Sequence, residues 1–116
     1  MTLSREARFQ IARADELLRV REARRAHLKE RAREVAVVFR EELGARHVWL
    51  FGSLDQLWFH EGSDVDLAVE GMPEERYAIA LERARAILGE PLDLVLIEGA
   101  EAGLARRIRE SGELLP

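Results

Sequence analysis

Three aspartates lie in or beside apolar segments that have the composition of β-strands. Asp64 and Asp66 are two residues apart at the start of the segment 64–69, so in a strand both carboxylates leave the same face. Asp93 interrupts the apolar run 92–97, where a charge is costly unless something compensates it. If the two strands are neighbours, the three carboxylates converge, and their repulsion favours a bound divalent cation. Mg²⁺ suits such a patch, because it prefers oxygen ligands, commonly one or two carboxylates together with substrate phosphates.

A glycine and a serine follow another short apolar run. Residues 47–51 predict a buried strand, and Gly52 and Ser53 come directly after it. Glycine lets the backbone approach a ligand closely, and Ser53 can cap a short helical turn that we predict over residues 54–59. Backbone amides at a helix start, with a serine hydroxyl, can hold phosphate. A phosphate-binding turn beside a carboxylate–metal patch is what nucleotidyl transfer requires, and a third carboxylate can accept the proton of the attacking hydroxyl.

The first forty residues predict a long helix. The segment from Ser4 to Leu43 contains no Gly or Pro and is rich in Ala, Arg, Glu and Leu, which are good helix formers. Gly44 is the expected stop. One helix of that length would extend for about 60 Å. We therefore expect either a break near residues 21–27 or a helix that projects and packs on a partner.

Two more helices are predicted around the strands. Pro73 and the acids after it favour the start of a helix that ends at Gly89. Residues 99–111 predict a final helix with Leu104 and Ile108 directed inward. Strands separated by helices indicate an α/β (α+β) fold, in which helices pack against a small mixed β-sheet.

Length and composition bound the class of protein. A chain of 116 residues that is 47% hydrophobic and 34% charged predicts a single soluble domain over residues 1–116. It has no cysteine, which excludes disulfides and cysteine-ligated zinc, and its net charge of -4 makes nucleic acid an unexpected partner. No apolar run approaches the roughly 20 residues of a membrane-spanning helix. Residues 1–10 are charged and lack the apolar stretch of a secretory signal, so we expect a cytoplasmic protein.

The strand, the turn and the acids together resemble the signature of the minimal nucleotidyltransferases (MNT), members of the polymerase-β-like superfamily. The matching residues are Gly52 and Ser53, then after ten residues Asp64 and Asp66, with Asp93 as the third acid and residues 48–51 and 67–69 as the flanking strands. The resemblance covers about residues 35–97 and implies a nucleotidyltransferase-like fold. We accordingly predict an N-terminal helical extension (residues 1–34) and a catalytic core (residues 35–116).

The resemblance implies an enzyme that moves AMP from ATP to an acceptor hydroxyl. Two Mg²⁺ ions would be held by Asp64 and Asp66, with Asp93 completing one metal site and serving as the candidate base. Gly52 and Ser53 would contact the triphosphate. Many such proteins are encoded beside a helical HEPN protein and act as antitoxins that transfer AMP to a tyrosine of that toxin, whereas others modify small molecules. The expected partner is thus an HEPN-type toxin in a toxin–antitoxin system, and homo-oligomerisation is left open.

One departure from the family pattern leaves an alternative open. After the Gly-Ser pair the family often has an Arg-Gly pair two residues on, but this sequence has Gln56 and Leu57, and Asp55 adds negative charge. The missing arginine removes a candidate phosphate ligand. The alternative is a catalytically weak or inactive module of the same fold that neutralises its partner by contact. Asp93 also has a second interpretation, as a residue of an edge strand that pairs with an arginine.

Overall fold

A four-stranded mixed sheet carries helices on both of its faces. The computed structural model describes residues 4–52 and 65–116. The elements in chain order are α1 (Arg5–Leu43), β1 (His47–Phe51), β2 (Val65–Glu70), α2 (Tyr77–Leu88), β3 (Leu92–Leu96), α3 (Ala102–Ser111) and β4 (Glu113–Leu114). Short 3-10 turns at Glu74–Arg76 and Ile97–Gly99 precede α2 and α3. The predicted fold class is confirmed.

The N-terminal helix α1 is unbroken over its 39 residues. The Ser4 hydroxyl accepts a hydrogen bond from the Ala7 amide at 3.0 Å, and Gly44 ends the helix with a φ of 81°. Its buried side chains begin only at Leu28, so the preceding turns project from the domain and extend the molecule to 62 Å. Of the two expectations for this segment, the projecting helix is the one observed. Among the described residues, no helix is both long and apolar enough for a bilayer crossing.

The strand order β3-β2-β1-β4 places the two strands that carry the candidate site next to each other. β2 pairs parallel with β3, whereas β1 pairs antiparallel with both β2 and β4. Parallel neighbours need a long crossover connection, and α2 supplies it between β2 and β3. This arrangement makes β3 and β4 the edge strands of the sheet.

The alternation of side chains along β2 separates two cores. Val65, Leu67 and Val69 are completely buried on the face covered by α1 and α2. Ala68 is buried on the opposite face, in a smaller cluster with Ile108 of α3. Because side chains alternate along a strand, Asp66 shares the α3 face with Ala68. The strand geometry assumed for this segment in placing the acids on one face therefore agrees with the structure for Asp66.

The chain ends in a short strand that the sequence analysis did not predict. In β4, Leu114 pairs with Trp49 and Glu113 with Leu50, and the Leu115 amide donates to the Val48 carbonyl at 2.8 Å. Two residues are too short to show a strand period, so no pattern could indicate this element. The final helix also begins at Ala102 rather than at residue 99, because the preceding residues form a 3-10 turn.

Candidate functional site

Two of the predicted acids lie side by side on neighbouring strands. Asp66 of β2 is in register with Asp93 of β3, and adjacent strands lie about 4.8 Å apart. Asp93 shares its face with Val95, which packs against the cluster under α3, whereas Leu92 and Leu94 belong to the other core. Both carboxylates therefore leave the sheet on the α3 side, where like charges repel unless a cation or hydrogen-bond donors compensate them.

The predicted glycine meets this acid pair from the opposite side of β2. Phe51, the last residue of β1, pairs with Asp66 in the antiparallel register, and Gly52 follows it with a φ of 78°. A Cβ atom built on Gly52 would lie 2.2 Å from Oδ2 of Asp66, so no side chain fits there without displacing the carboxylate. Glycine is required at this position for its left-handed backbone and for the close approach. The turn and the carboxylates consequently form one site.

A cavity of about 330 Å³ opens at this edge of the sheet, within the size range of small-molecule sites. Its lining residues are Phe51, Asp66, Tyr77, Leu81, Arg85, Leu92, Asp93, Leu94, Val95 and Leu104. α2 contributes one wall, on which the Tyr77 hydroxyl donates to the Leu94 carbonyl at 2.9 Å. That hydrogen bond holds α2 against β3. Apart from the aspartates, the cavity is lined mostly by apolar side chains and by one guanidinium, that of Arg85.

Part of the predicted site lies outside the described residues. This holds for Ser53 and Asp64 and for the two departures from the family pattern, Gln56 and Leu57. Within residues 4–52 and 65–116 there is no group of three His, Cys, Asp or Glu side chains arranged to hold a metal ion. Asp66 and Asp93 alone provide a pair of hard oxygen donors, which suits Mg²⁺ because this ion takes its remaining ligands from water and substrate phosphates.

Asp93 is exposed, which corrects one step of the sequence argument. The apolar run around it indicated a buried strand, in which the charge would need compensation. The structure instead places β3 at the sheet edge, where water reaches the carboxylate. The position agrees with the alternative of an edge-strand residue, but none of the ion pairs between described residues joins Asp93 to an arginine.

The far end of β2 carries a charged cluster that holds α3 over the sheet. The Glu70 carboxylate is hydrogen-bonded by Nδ1 of His47 at 2.9 Å and by the guanidinium of Arg109 on α3. The hydrogen bond from His47, followed by that from Arg109, lowers the pKa of Glu70 below its ordinary value of 4.5. This cluster fixes one point of α3 on the sheet.

The other end of the site contains residues that the sequence analysis did not assign. Arg107 and Ser111 of α3 line a smaller cavity of about 170 Å³ beside Gly52. A signal for Arg107 was present, because it follows Leu104 by three residues and so lies near it on the helix surface. Leu104 was predicted to point inward, which would have placed Arg107 at the rim of the sheet.

Comparisons with known proteins agree with this architecture. Residues 33–116 match the family described as polymerase beta, nucleotidyltransferase. A chain of a toxin–antitoxin structure with AMP-PNP superposes with a TM-score of 0.61 at 21% identity, covering 74% of this chain and 72% of the other. A chain of the MntA-HepT toxin–antitoxin structure gives 0.58 at 18% identity, covering 76% and 71%. These two likenesses show a shared fold.

A third structure, provisionally assigned as a minimal nucleotidyltransferase, has a TM-score of 0.60 at 26% identity and covers 73% of this chain and 88% of the other. No curated protein matches the sequence at a significant level.

Proposed function

The chain belongs to the polymerase-β nucleotidyltransferase family, and on this premise we propose that it moves AMP from ATP to an acceptor hydroxyl and releases pyrophosphate. One observation carries the proposal: the Gly52 backbone and the carboxylates of Asp66 and Asp93 meet at one edge of the sheet. A close-approach glycine beside paired carboxylates provides a place for phosphate groups next to oxygen ligands for a cation.

Each site residue receives a role in this proposal. Asp64, Asp66 and Asp93 would hold Mg²⁺, as the two ions implied by the family resemblance, while Gly52 and Ser53 contact the triphosphate. The bound metal would neutralise phosphate charge and lower the pKa of the acceptor hydroxyl. The acceptor oxygen forms a bond to the α-phosphorus, the bond from that phosphorus to its bridging oxygen breaks, and pyrophosphate leaves with the electron pair. Asp93 takes the proton of the acceptor hydroxyl, for which its exposed position leaves it accessible.

The proposed acceptor is a tyrosine of an HEPN-type toxin, which makes the protein an antitoxin. Two solved structures that share the fold are toxin–antitoxin complexes, and one of them contains AMP-PNP. The tyrosine target and the HEPN type of the partner rest on the family resemblance. The projecting part of α1 supports a protein partner, because it presents apolar side chains that the domain itself does not cover.

The experiment is transfer of label from α-³²P-ATP to a co-expressed helical partner in the presence of Mg²⁺. Asp66→Asn and Asp93→Asn should each abolish most of the transfer, since each removes a negative charge from the site while preserving the size of the side chain. Glu82→Gln is the matched control, because it also replaces a carboxylate by an amide, on an exposed residue of α2 that lines neither cavity. Full transfer by the Asp66→Asn variant would overturn these roles.

A second candidate function is neutralisation of the partner by contact alone. The observation that favours it is a set of exposed apolar side chains distributed around the projecting part of α1. These residues are Phe9, Ile11, Leu17, Leu18 and Val20. The double variant Asp66→Asn/Asp93→Asn separates the two functions in cells that express the partner toxin. Survival of cells carrying that variant would support contact neutralisation, whereas death would support transfer.

A further inference from the structure

A second cavity lies next to the acidic one, between the end of β1 and α3. Its lining residues are Phe51, Gly52, Leu104, Arg107, Ile108, Ser111 and Gly112, and its volume is about 170 Å³. Phe51 and Leu104 also line the cavity of Asp66 and Asp93, so the two spaces adjoin. A ligand that occupies the acidic cavity therefore has a neighbouring space in which an extended group can lie.

Arg107 is the cation of this second cavity. It is exposed, and none of the ion pairs between described residues includes it, whereas Arg109 on the same helix pairs with Glu70. Its planar guanidinium offers several N–H donors in a fork that matches the oxygens of a phosphate group. The Ser111 hydroxyl, one helical turn further on, adds another donor to the same cavity.

The position of Arg107 is set by well-packed neighbours. Ile108 is only 2% exposed, and Glu70 holds Arg109 from the sheet. At the end of the helix, a Cβ on Gly112 would lie 2.6 Å from the Ile108 carbonyl oxygen, so the chain turns there without room for a side chain. These contacts fix the backbone of α3 on both sides of Arg107, so ligand binding there requires ordering of the arginine side chain but not of the helix.

We propose that Arg107 binds the phosphate groups of the nucleotide, in the cavity beside Gly52. The inference rests on the proposed function and names a residue of that site. Phosphates brought toward Asp66 and Asp93 meet negative charge, and a cation beside the glycine turn offsets part of that repulsion. Arg107 thereby supplies a guanidinium to the site from α3.

The test is the affinity of the full-length protein for ATP, AMP and adenosine with Mg²⁺, measured by calorimetry for three variants. Arg107→Gln should weaken ATP binding by roughly 10- to 100-fold, which is the range for hydrogen bonds to charged groups, and leave adenosine binding unchanged. Arg107→Lys should recover part of the loss, because it keeps the charge but not the fork. Arg106→Gln is the matched control, since this neighbouring arginine is exposed and lines neither cavity.

The outcomes separate this inference from the function on which it rests. A wild-type protein that binds no ATP and transfers no label would overturn the proposed function itself. Wild-type binding of ATP together with unchanged binding by Arg107→Gln would overturn only the role of Arg107. Equal weakening of ATP and adenosine would also overturn it, because that pattern indicates a structural role. If the glutamine variant does not fold, Arg107→Lys decides, with weakened ATP and unchanged adenosine binding as the supporting result.

Discussion

Gly52 lies against Asp66 so closely that a Cβ atom on the glycine would come within 2.2 Å of the carboxylate oxygen Oδ2. Gly52 directly follows β1, which pairs antiparallel with the strand of Asp66, and Asp66 is also in register with Asp93 on its other side. The carboxylate of Asp66 therefore connects the glycine turn to the second acid, and a change at Gly52 acts directly on the candidate site.

Replacement of Gly52 by alanine should impair transfer more than it impairs folding. The left-handed φ alone costs an alanine about 1–2 kcal/mol, and the clash displaces Asp66 in addition. Gly89→Ala is the matched control, because Gly89 has a φ of 67° but nothing within 4 Å of an added Cβ. We expect both variants to lose stability in urea unfolding and only Gly52→Ala to lose labelled transfer. Equal activity of the two variants would contradict the proposed approach of Gly52 to the site.

Substitution of Asp93 by asparagine should lower transfer without lowering stability. The side chain is exposed on an edge strand, so the fold does not depend on its charge. Loss of a general base and metal ligand should reduce the rate by roughly 100-fold or more. Single-turnover transfer at saturating ATP and increasing Mg²⁺ measures the effect, with thermal unfolding as the check on folding. A variant with the wild-type rate at every Mg²⁺ concentration would remove Asp93 from the mechanism.

The Glu70 cluster should stabilise the protein only above the acid range. Hydrogen bonds from His47 and Arg109 depress the folded-state pKa of Glu70 below 4.5, so the stabilisation is fully present above the unfolded-state pKa. It is lost as the pH falls through the lowered folded-state value. At pH 7 we expect Glu70→Gln to cost about 1 kcal/mol or less, because both partner side chains are half exposed.

Urea unfolding of Glu70→Gln and of the wild type at several pH values measures how the contribution of Glu70 to stability changes with pH. The difference in unfolding free energy should shrink steadily below pH 4.5, the ordinary pKa of the carboxyl group. Glu42→Gln serves as a comparison, since Glu42 pairs with Arg83 where both side chains are about half exposed. A Glu70→Gln difference that stays constant across the acid range would show that the carboxylate charge contributes no stability.

Truncation of two leucines on α1 should change the unfolding free energy by very different amounts. Leu28 is 3% exposed in the main core, so Leu28→Ala should cost about 2–5 kcal/mol of unfolding free energy. Leu17 is 52% exposed on the projecting part of the helix, and Leu17→Ala should change stability by less than about 0.5 kcal/mol. If that part binds the partner, Leu17→Ala should nevertheless weaken co-purification. Retained partner binding by this variant and by Phe9→Ala would exclude the side of the helix that carries these two residues as the contact.

Sequence patterns predicted the elements that have strong local signals. They did not predict features that depend on the order of the strands in the sheet. The bounds of β1 and the ends of α1 were predicted closely, because a β-branched and aromatic run and a helix free of Gly and Pro are local properties. The edge position of β3 entered only as the second interpretation of Asp93, since an apolar run does not show which strands flank it. The exposure of Asp93 followed from that position, which is why the sequence argument for its burial was wrong.

The sequence predicted only those residues of the candidate site that lie close together along the chain. Gly52 and Asp66 belong to one motif, and an acid in the next strand was a natural addition. Arg107 lines a cavity together with Gly52 because α3 packs on the sheet, and its spacing from Leu104 alone does not show which strand end it approaches. The division between residues 1–34 and 35–116 stays a prediction, and α1 crosses it without a break. The cytoplasmic location likewise stays a prediction.

The projecting part of α1 also sets a distance between its N-terminal end and the domain. From Phe9 to Leu28 the helix rises by about 30 Å, and helices of this length bend only gently without a proline or glycine to kink them. A molecule that binds the N-terminal end of the helix is therefore held at a nearly constant distance from Asp93. Under the proposed transfer, a partner bound at that end presents its hydroxyl at the site only if it also extends back along the helix.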